Sequence, residues 1–343
     1  MLMLVTLKRI HGWVRLPVQA YRNYKNERNT YGMKDSMMTD SEQREVRRVT
    51  DADYDDVMSI RSSVYDGYDY LPFQFKSLIN HPDNEGYATI LNGKFVAFCL
   101  VSKVDGGETM VTRAGRINKQ FEGHGIYKAL KSFIKQRQCN GTVCYHAYIA
   151  TNTNHLISAA ISRGELAVLE KKNTVFYNPE HDLRALIEVM GSPKYSRIMS
   201  PTDMEDIFQS NEACTKLFPA ARIMCNIVPY RLKKSNIPLI FSDLTLLVGT
   251  YDSEWQLVTC GSYSKCEKGH VYELYVYGNS CFMSEHVIIH LNYILKYCHS
   301  GLELLLHYNE NQVRAFGTEM KKCQFIELKG SWKSEYLLEN KLK

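Results

Sequence analysis

Gly123 and Gly125 stand one residue apart in the stretch QFEGHG, Gln120 to Gly125. Glycine takes positive φ at little cost and lets a ligand approach the main chain. The run that follows, IYKALKSFIKQ, has helical periodicity, and the first N–H groups of a helix have no internal acceptor. Such a turn is an anion cradle, with donors expected from about Phe121 through Glu122, Gly123, His124, Gly125 and Ile126 to Tyr127. Two familiar phosphate sites are excluded. A Walker loop needs Gly-Lys-Ser/Thr, which is absent. A dinucleotide fold needs a parallel βαβ unit before the glycines, and the strands here are hairpin-linked.

Other reactive side chains carry less. His286 and His290 in HVIIH are one helical turn apart, but Val287 stands where a zinc protease has its glutamate, so both are expected to be ordinary helix histidines and no metal is expected. Ten cysteines contain no Cys-x-x-Cys pair, and several fall in apolar runs, as free thiols of a reducing compartment do. A net charge of +5 without a basic run gives no footprint for nucleic acid.

The elements around the glycines follow from periodicity and turn chemistry. REVRRV reads as a strand, and TDADYDDVMSIRSSVY and FQFKSLIN as helices. YATIL and FVAFCLVSKV flank Asn92-Gly93, the strongest short hairpin signal. A third strand spans 108–117, then come the loop, its helix, the strand TVCYHAYIA, a helix and further strands. Before them, residues 1–44 form a basic extension with no acid up to Tyr24, expected to be poorly ordered. A mitochondrial import segment has that composition; otherwise the expected compartment is the cytoplasm. No apolar run reaches the ~20 residues of a membrane span.

The order of elements together with Gln120, Gly123 and Gly125 resembles the GNAT N-acetyltransferase superfamily. Its phosphate loop reads Gln or Arg, two variable residues, Gly, one variable residue, then Gly or Ala. The chain also resembles itself. RVTDADYDDVMSI from Arg48 matches IMSPTDMEDIFQS from Ile198, and later elements repeat at an offset of 160. The expected fold is α+β: tandem GNAT-like domains, each a mostly antiparallel mixed sheet flanked by helices, at 45–187 and 197–343. At that offset Ser280, Met283 and Glu285 replace the loop residues, so the second copy is degenerate and binds no coenzyme A.

What the resemblance implies is chemical. The anion becomes the pyrophosphate of acetyl-CoA, with Asn152 and Asn154 on the pantetheine arm and main-chain N–H near Ile117 or Asn118 for the oxyanion. Glu108 takes the place of the family's base. The family's tyrosine acid is missing, because Ala160 stands there, and Tyr148 is the substitute. SSVYDGYDYLP and DGGETMVTRAGRI narrow the resemblance to vertebrate histidine N-acetyltransferase and its relatives. The implied partner is a free amino acid, histidine, with Arg113 or Arg116 for its carboxylate and Tyr68, Asp69 or Tyr70 for its imidazole. An acetyltransferase for protein N-termini or lysines, and a non-catalytic module, remain the alternatives.

Overall fold

The computed structural model describes residues 4–9, 12–17, 44–62, 64–139, 141–152, 154–309, 312–328 and 333–342. The chain divides into two compact units, one of residues 1–44 with 91–93, the other of 45–90 with 94–343. The described part of the N-terminal segment is an antiparallel hairpin of β1 (Leu4–Arg9) and β2 (Gly12–Pro17). The rest of the expected extension, residues 18–43, lies outside the described residues, as does Asn140.

The main unit contains the repeat. Its first copy runs β3 (Arg44–Val49), α1 (Tyr54–Ser59), α2 (Leu71–Asn80), β4 (Asn84–Leu91), β5 (Lys94–Val104), β6 (Thr109–Ile117), α3 (Ile126–Gln138), β7 (Tyr145–Thr151), α4 (His155–Ser162) and β8 (Val168–Pro179). Helix α5 (Leu183–Met190) leads to the second: β9 (Ser196–Ile198), α6 (Pro201–Gln209), α7 (Asn211–Leu217), β10 (Arg222–Cys225), β11 (Val228–Arg231), α8 (Ile237–Ile240), β12 (Thr245–Asp252), β13 (Glu254–Cys266), β14 (Gly269–Gly278), α9 (Met283–Ile294), β15 (Leu302–Tyr308), α10 (Val313–Lys322), β16 (Phe325–Glu327) and β17 (Lys333–Lys341).

Both copies open alike. Asp53 takes a bidentate pair from Arg47, at 2.7 and 3.0 Å, and accepts from the Thr50 N–H. Asp203 repeats this with Arg197, at 2.6 and 2.7 Å, and Ser200. Each carboxylate satisfies an otherwise orphan amide at a helix start. The guanidinium of Arg47 lies over Phe95 and that of Arg197 over Trp255.

Apart from β10 and β11, which pair only with each other, the described strands of this unit form one 13-stranded sheet in the order β3-β4-β5-β6-β7-β17-β8-β15-β14-β13-β12-β9, with β16 also on β8. The copies exchange strands. The last strand, β17, enters between β7 and β8 of the first copy. The far end of β8 pairs with β15 and β16 of the second. Residues 45–187 and 197–343 are therefore not separable bodies, because each copy's sheet is completed by a strand from the other.

Helix packing follows apolar stripes. Ile126, Leu130 and Ile134 are the buried face of α3, set four residues apart on one side of the helix. On the opposite side of the sheet, Val111, Ala147 and Leu337 join Met224, Tyr230 and Tyr275 in one core cluster, so the two copies share a core.

Candidate active site

The site begins where β6 leaves regular geometry. Leu100 pairs with Arg113 and Phe98 with Arg116, so one more residue stands on β6 than on β5. This bulge sits at Ala114, whose φ is +50°, and Gly115. Tyr127 reaches back from the first turn of α3, and a Cβ on Gly115 would lie 2.0 Å from its hydroxyl oxygen. The other edge of β6 meets β7 only from Thr109↔Tyr145 to Val111↔Ala147. Beyond that the two parallel strands have no paired residues, and the gap faces the glycine loop.

The loop has the form of a cradle. Gly123 and Gly125 have φ of +80° and +76°, and open space surrounds the position of an added Cβ at both. The N–H groups of Phe121, Glu122 and His124 are used on Asn118, Lys119 and Phe121 carbonyls, and that of Gln120 on the Asn118 side chain. Those of Gly123, Gly125, Ile126, Tyr127 and Lys128 meet no acceptor among the described residues. The free donors thus start two residues later than expected and extend one further. The Asn118 N–H is occupied by the Val96 carbonyl at 2.8 Å and is not an oxyanion donor.

Several expected site residues are committed elsewhere. Glu108 lies at the far end of β6 from the loop, half-buried and paired with Lys233 at 2.7 Å. That ion pair holds its carboxyl below the usual range, the opposite of what a base at neutral pH requires. Arg116 and Asp69, offered as separate substrate ligands, bind each other at 2.5 Å with side chains 1% and 9% exposed. Asp69 also caps the Leu71 N–H. Tyr68 donates to Glu303 at 2.6 Å. Asn152 is tied to Ser334 of β17, and Asn154 caps α4 through the Ile157 N–H.

Tyr148 faces α3. The Lys131 ammonium sits 4.7 Å from its ring centre, and the His146 ring lies beside it at 5.2 Å. Burial raises the Tyr148 phenol and lowers the Lys131 ammonium. Burial, then the charges of Lys131 and Lys135, pushes His146 down to about 4. This side of the gap therefore holds a protonated phenol and a neutral imidazole at pH 7.

The opposite side of the sheet gathers titratable groups that no short motif reveals. His307 of β15 lies 3.1 Å from Glu335 of β17 through Nδ1, which also meets the Thr174 hydroxyl at 2.9 Å. Its ring stacks on Tyr275 at 4.1 Å, and the Tyr275 hydroxyl donates to Glu335. The buried His307 Nε2 has no partner among the described residues, and neither has the buried Tyr70 hydroxyl. Glu335 pairs in register with Thr151, at the end of β7 that borders the gap. Glu273 of β14 lies in the same group. Burial, reinforced by Glu335 and opposed by His307, lifts its carboxyl to about 7. Tyr70 feels the charges of both Arg113 and Glu273. Arg113 is held by Ser102 and the Asn226 carbonyl, at 3.0 and 3.4 Å.

A splayed parallel pair, a bulge at its mouth and free amides at the next helix start define the architecture of the site. A family model described as "Histidine N-acetyltransferase, C-terminal" matches residues 192–307. "Probable N-acetyltransferase 16" of Homo sapiens is 24% identical over 204 residues, 56% of this chain and 54% of that one. "Histidine N-acetyltransferase" of Oreochromis niloticus is 21% identical over 207 residues, 56% of this chain and 60% of that one. The solved "Tandem GNAT protein from the clavulanic acid biosynthesis pathway" superposes with a TM-score of 0.53 at 10% identity, covering 87% of this chain and 98% of that one. The chain has the tandem GNAT fold, and part of its sequence is similar to histidine N-acetyltransferases. Its matched part spans little more than half the length of these curated relatives.

In this tandem GNAT chain the second copy departs from the first at the same places. The Asn279 N–H binds the Gln256 carbonyl as that of Asn118 binds Val96, and Asn279 caps Cys281 as Asn118 caps Gln120. The structural offset at the loop is therefore 161, and Cys281, Ser284 and His286 replace Gln120, Gly123 and Gly125. The one-residue correction to Ser280, Met283 and Glu285 leaves the loop without glycine. β14 has no bulge against β13, and its parallel pairing with β15 continues from His270↔Leu302 to Tyr275↔His307. Glu285 receives the N–H groups of Tyr195 and Ser196 at 2.8 Å each. His286 is bonded to Thr250 and Thr259, His290 to Thr259 and Tyr272, so all four ring nitrogens are engaged.

Proposed function

We propose that this chain transfers the acetyl group of acetyl-CoA to the α-amine of a free amino acid, with L-histidine as the acceptor and N-acetyl-L-histidine and coenzyme A as products. The observation that carries the reading is the set of N–H groups at Gly123 and from Gly125 to Lys128, without an acceptor among the described residues, beside a gap between β6 and β7. Histidine as acceptor is supported by the similarity to histidine N-acetyltransferases of vertebrates.

The residues fit acetyl-CoA as co-substrate. A diphosphate satisfies the free amides, and each hydrogen bond to a charged group contributes about 1.5–3 kcal/mol. The glycines leave its path clear. The gap between β6 and β7 takes the pantetheine arm and brings the thioester to the bulge, where positioning supplies much of the rate. Tyr148, kept protonated by burial, donates to the departing thiolate. The acceptor enters from the other side of the sheet, where Arg113 is the cation for its carboxylate.

The test is a mass-spectrometric screen of the full chain with acetyl-CoA against free amino acids, peptides with free N-termini and lysine peptides. Acetylated histidine, with peptides untouched, supports the reading. Acetylated peptides would move the acceptor to a protein, and no transfer to any amine would leave a binding module.

A further inference from the structure

The assigned base is unsuitable, so the proton has to be taken elsewhere. We infer that the copy without a phosphate loop supplies the base: Glu273 accepts the proton of the acceptor amine, in a pocket closed by Tyr70 and Arg113 of the first copy and by the His307–Glu335 pair. This rests on the acetyltransferase reading above.

Three observations converge. Strand exchange places Glu335 beside Thr151 at the gap and links it to His307 at 3.1 Å, so this face of the sheet is continuous with the transfer site. Two buried polar groups there, His307 Nε2 and the Tyr70 hydroxyl, have no partner among the described residues, an expensive arrangement in a core unless a ligand uses them. Glu273 makes no hydrogen bond or ion pair among the described residues, while Glu108 is tied to Lys233 and Asp69 to Arg116. The free carboxylate also carries the right proton affinity, since burial brings it to about 7. Besides burial, the groups that set this value are His307 on β15, which lowers it, and Glu335 on β17, which raises it; Lys172 of β8 and Tyr275 of β14 act on Glu335, and Tyr70 of the first copy feels both Glu273 and Arg113.

The chemistry balances. The incoming ammonium gives one proton to the Glu273 carboxylate. The neutral nitrogen bonds to the thioester carbon, and the C–S bond breaks as the adduct collapses. The second N–H proton matches the one that Tyr148 gives the thiolate, so the products are amide, coenzyme A and one proton released to solvent. A zwitterionic amino acid suits the pocket, with Arg113 for the carboxylate and Glu273 for the ammonium.

The experiment is the pH profile of kcat/KM for the full chain as wild type, Glu273→Gln and Glu273→Asp, with acetyl-CoA affinity measured in parallel. Wild type should show an acidic limb near pH 7. Glu273→Gln should lose about 100-fold or more and lose the limb, with acetyl-CoA affinity within about twofold. Glu273→Asp should keep the limb at reduced rate, which a merely structural carboxylate would not explain. A Glu273→Gln profile that overlays wild type overturns the assignment and leaves the acetyltransferase reading standing. A wild type that acetylates no amine overturns both.

Discussion

Asn118 and Asn279 hold the same station in the two copies: each donates its N–H to the facing strand, to Val96 and Gln256, and each side chain receives the N–H two residues on. What separates the two loops lies on either side of that station. Before it, the first copy has one more residue in the strand. After it, the first copy has glycines at positive φ. Both differences open space at the sheet, and neither exists in the second copy.

The loop glycines give the most direct prediction. Gly123→Val and Gly125→Val each place a branched side chain at φ near +80° and +76°, costing about 1–2 kcal/mol of strain. Space for the Cβ exists, so the fold survives. The side chain blocks backbone approach, and acetyl-CoA affinity by calorimetry should fall at least about tenfold, 1.4 kcal/mol. Ser284→Val, at the matching point of the second copy, should leave affinity unchanged. Equal losses from Gly123→Val and Ser284→Val would mean that the loop is not the anion site.

The Asp69–Arg116 pair should behave as structure. Asp69→Asn leaves a guanidinium only 1% exposed without its counter-ion, and breaking such a pair costs about 3–5 kcal/mol. Urea unfolding should show that loss. A variant of unchanged stability but much higher KM for the acceptor would restore Asp69 to the binding site.

Glu273 should cost stability in a pH-dependent way. Its folded pKa of about 7 is raised above the unfolded value, so the folded chain binds this proton more tightly. Stability therefore falls as pH rises from about 4.5 to 7 and stays reduced above that, by roughly 1–3 kcal/mol given partial solvent access. Glu273→Gln should accordingly raise Tm at pH 8 and change it little at pH 5. An equal shift at both values would show that Glu273 titrates normally.

The two helix-start carboxylates give the opposite sign. Arg47 and Arg197, with amide donors behind them, hold Asp53 and Asp203 down to about 2. Their stabilisation is complete above the unfolded pKa near 4 and disappears as pH falls through 2. Asp203→Ala should lose about 1 kcal/mol at pH 7 and flatten the acid limb of the unfolding curve between pH 4 and 2. An unchanged limb would mean the pair is solvated in both states.

What could be read along the chain was local. Asn92-Gly93 predicts the β4–β5 turn, and both residues take positive φ. The Gln120–Gly125 pattern predicts a strand-to-helix turn with free amides. The repeat was visible because Asp53 and Asp203 cap helices in matched surroundings. What could not be read was non-local. Glu273 and His307 sit on paired strands of the second copy, but Glu335 joins them only because β17 crosses into the first copy and β8 into the second, and no periodicity encodes which strand fills a slot in another sheet. Asp69 and Arg116 show the same limit: their types suggested a site, yet they satisfy each other. The bulge at Ala114 inserts a residue without a sequence mark, so the strand before it and the loop after it do not share one offset between the copies.

That bulge can be tested through Gly115 and Tyr127. A Cβ on Gly115 would sit 2.0 Å from the Tyr127 hydroxyl oxygen and 2.8 Å from the ring carbon that carries it. The ring has little room to retreat, because its hydroxyl is buried near Cys99. Gly115→Ala should therefore cost about 1–3 kcal/mol, as overpacking does. Tyr127→Phe removes the atom in conflict, so the double variant should recover part of the loss, a coupling of at least about 0.5 kcal/mol. Turnover separates this from a purely structural contact. If the bulge sets the thioester position, the double variant regains stability but not kcat, since the β6 main chain has still been displaced. Recovery of both together would show that the strand, not the bulge, holds the acyl group.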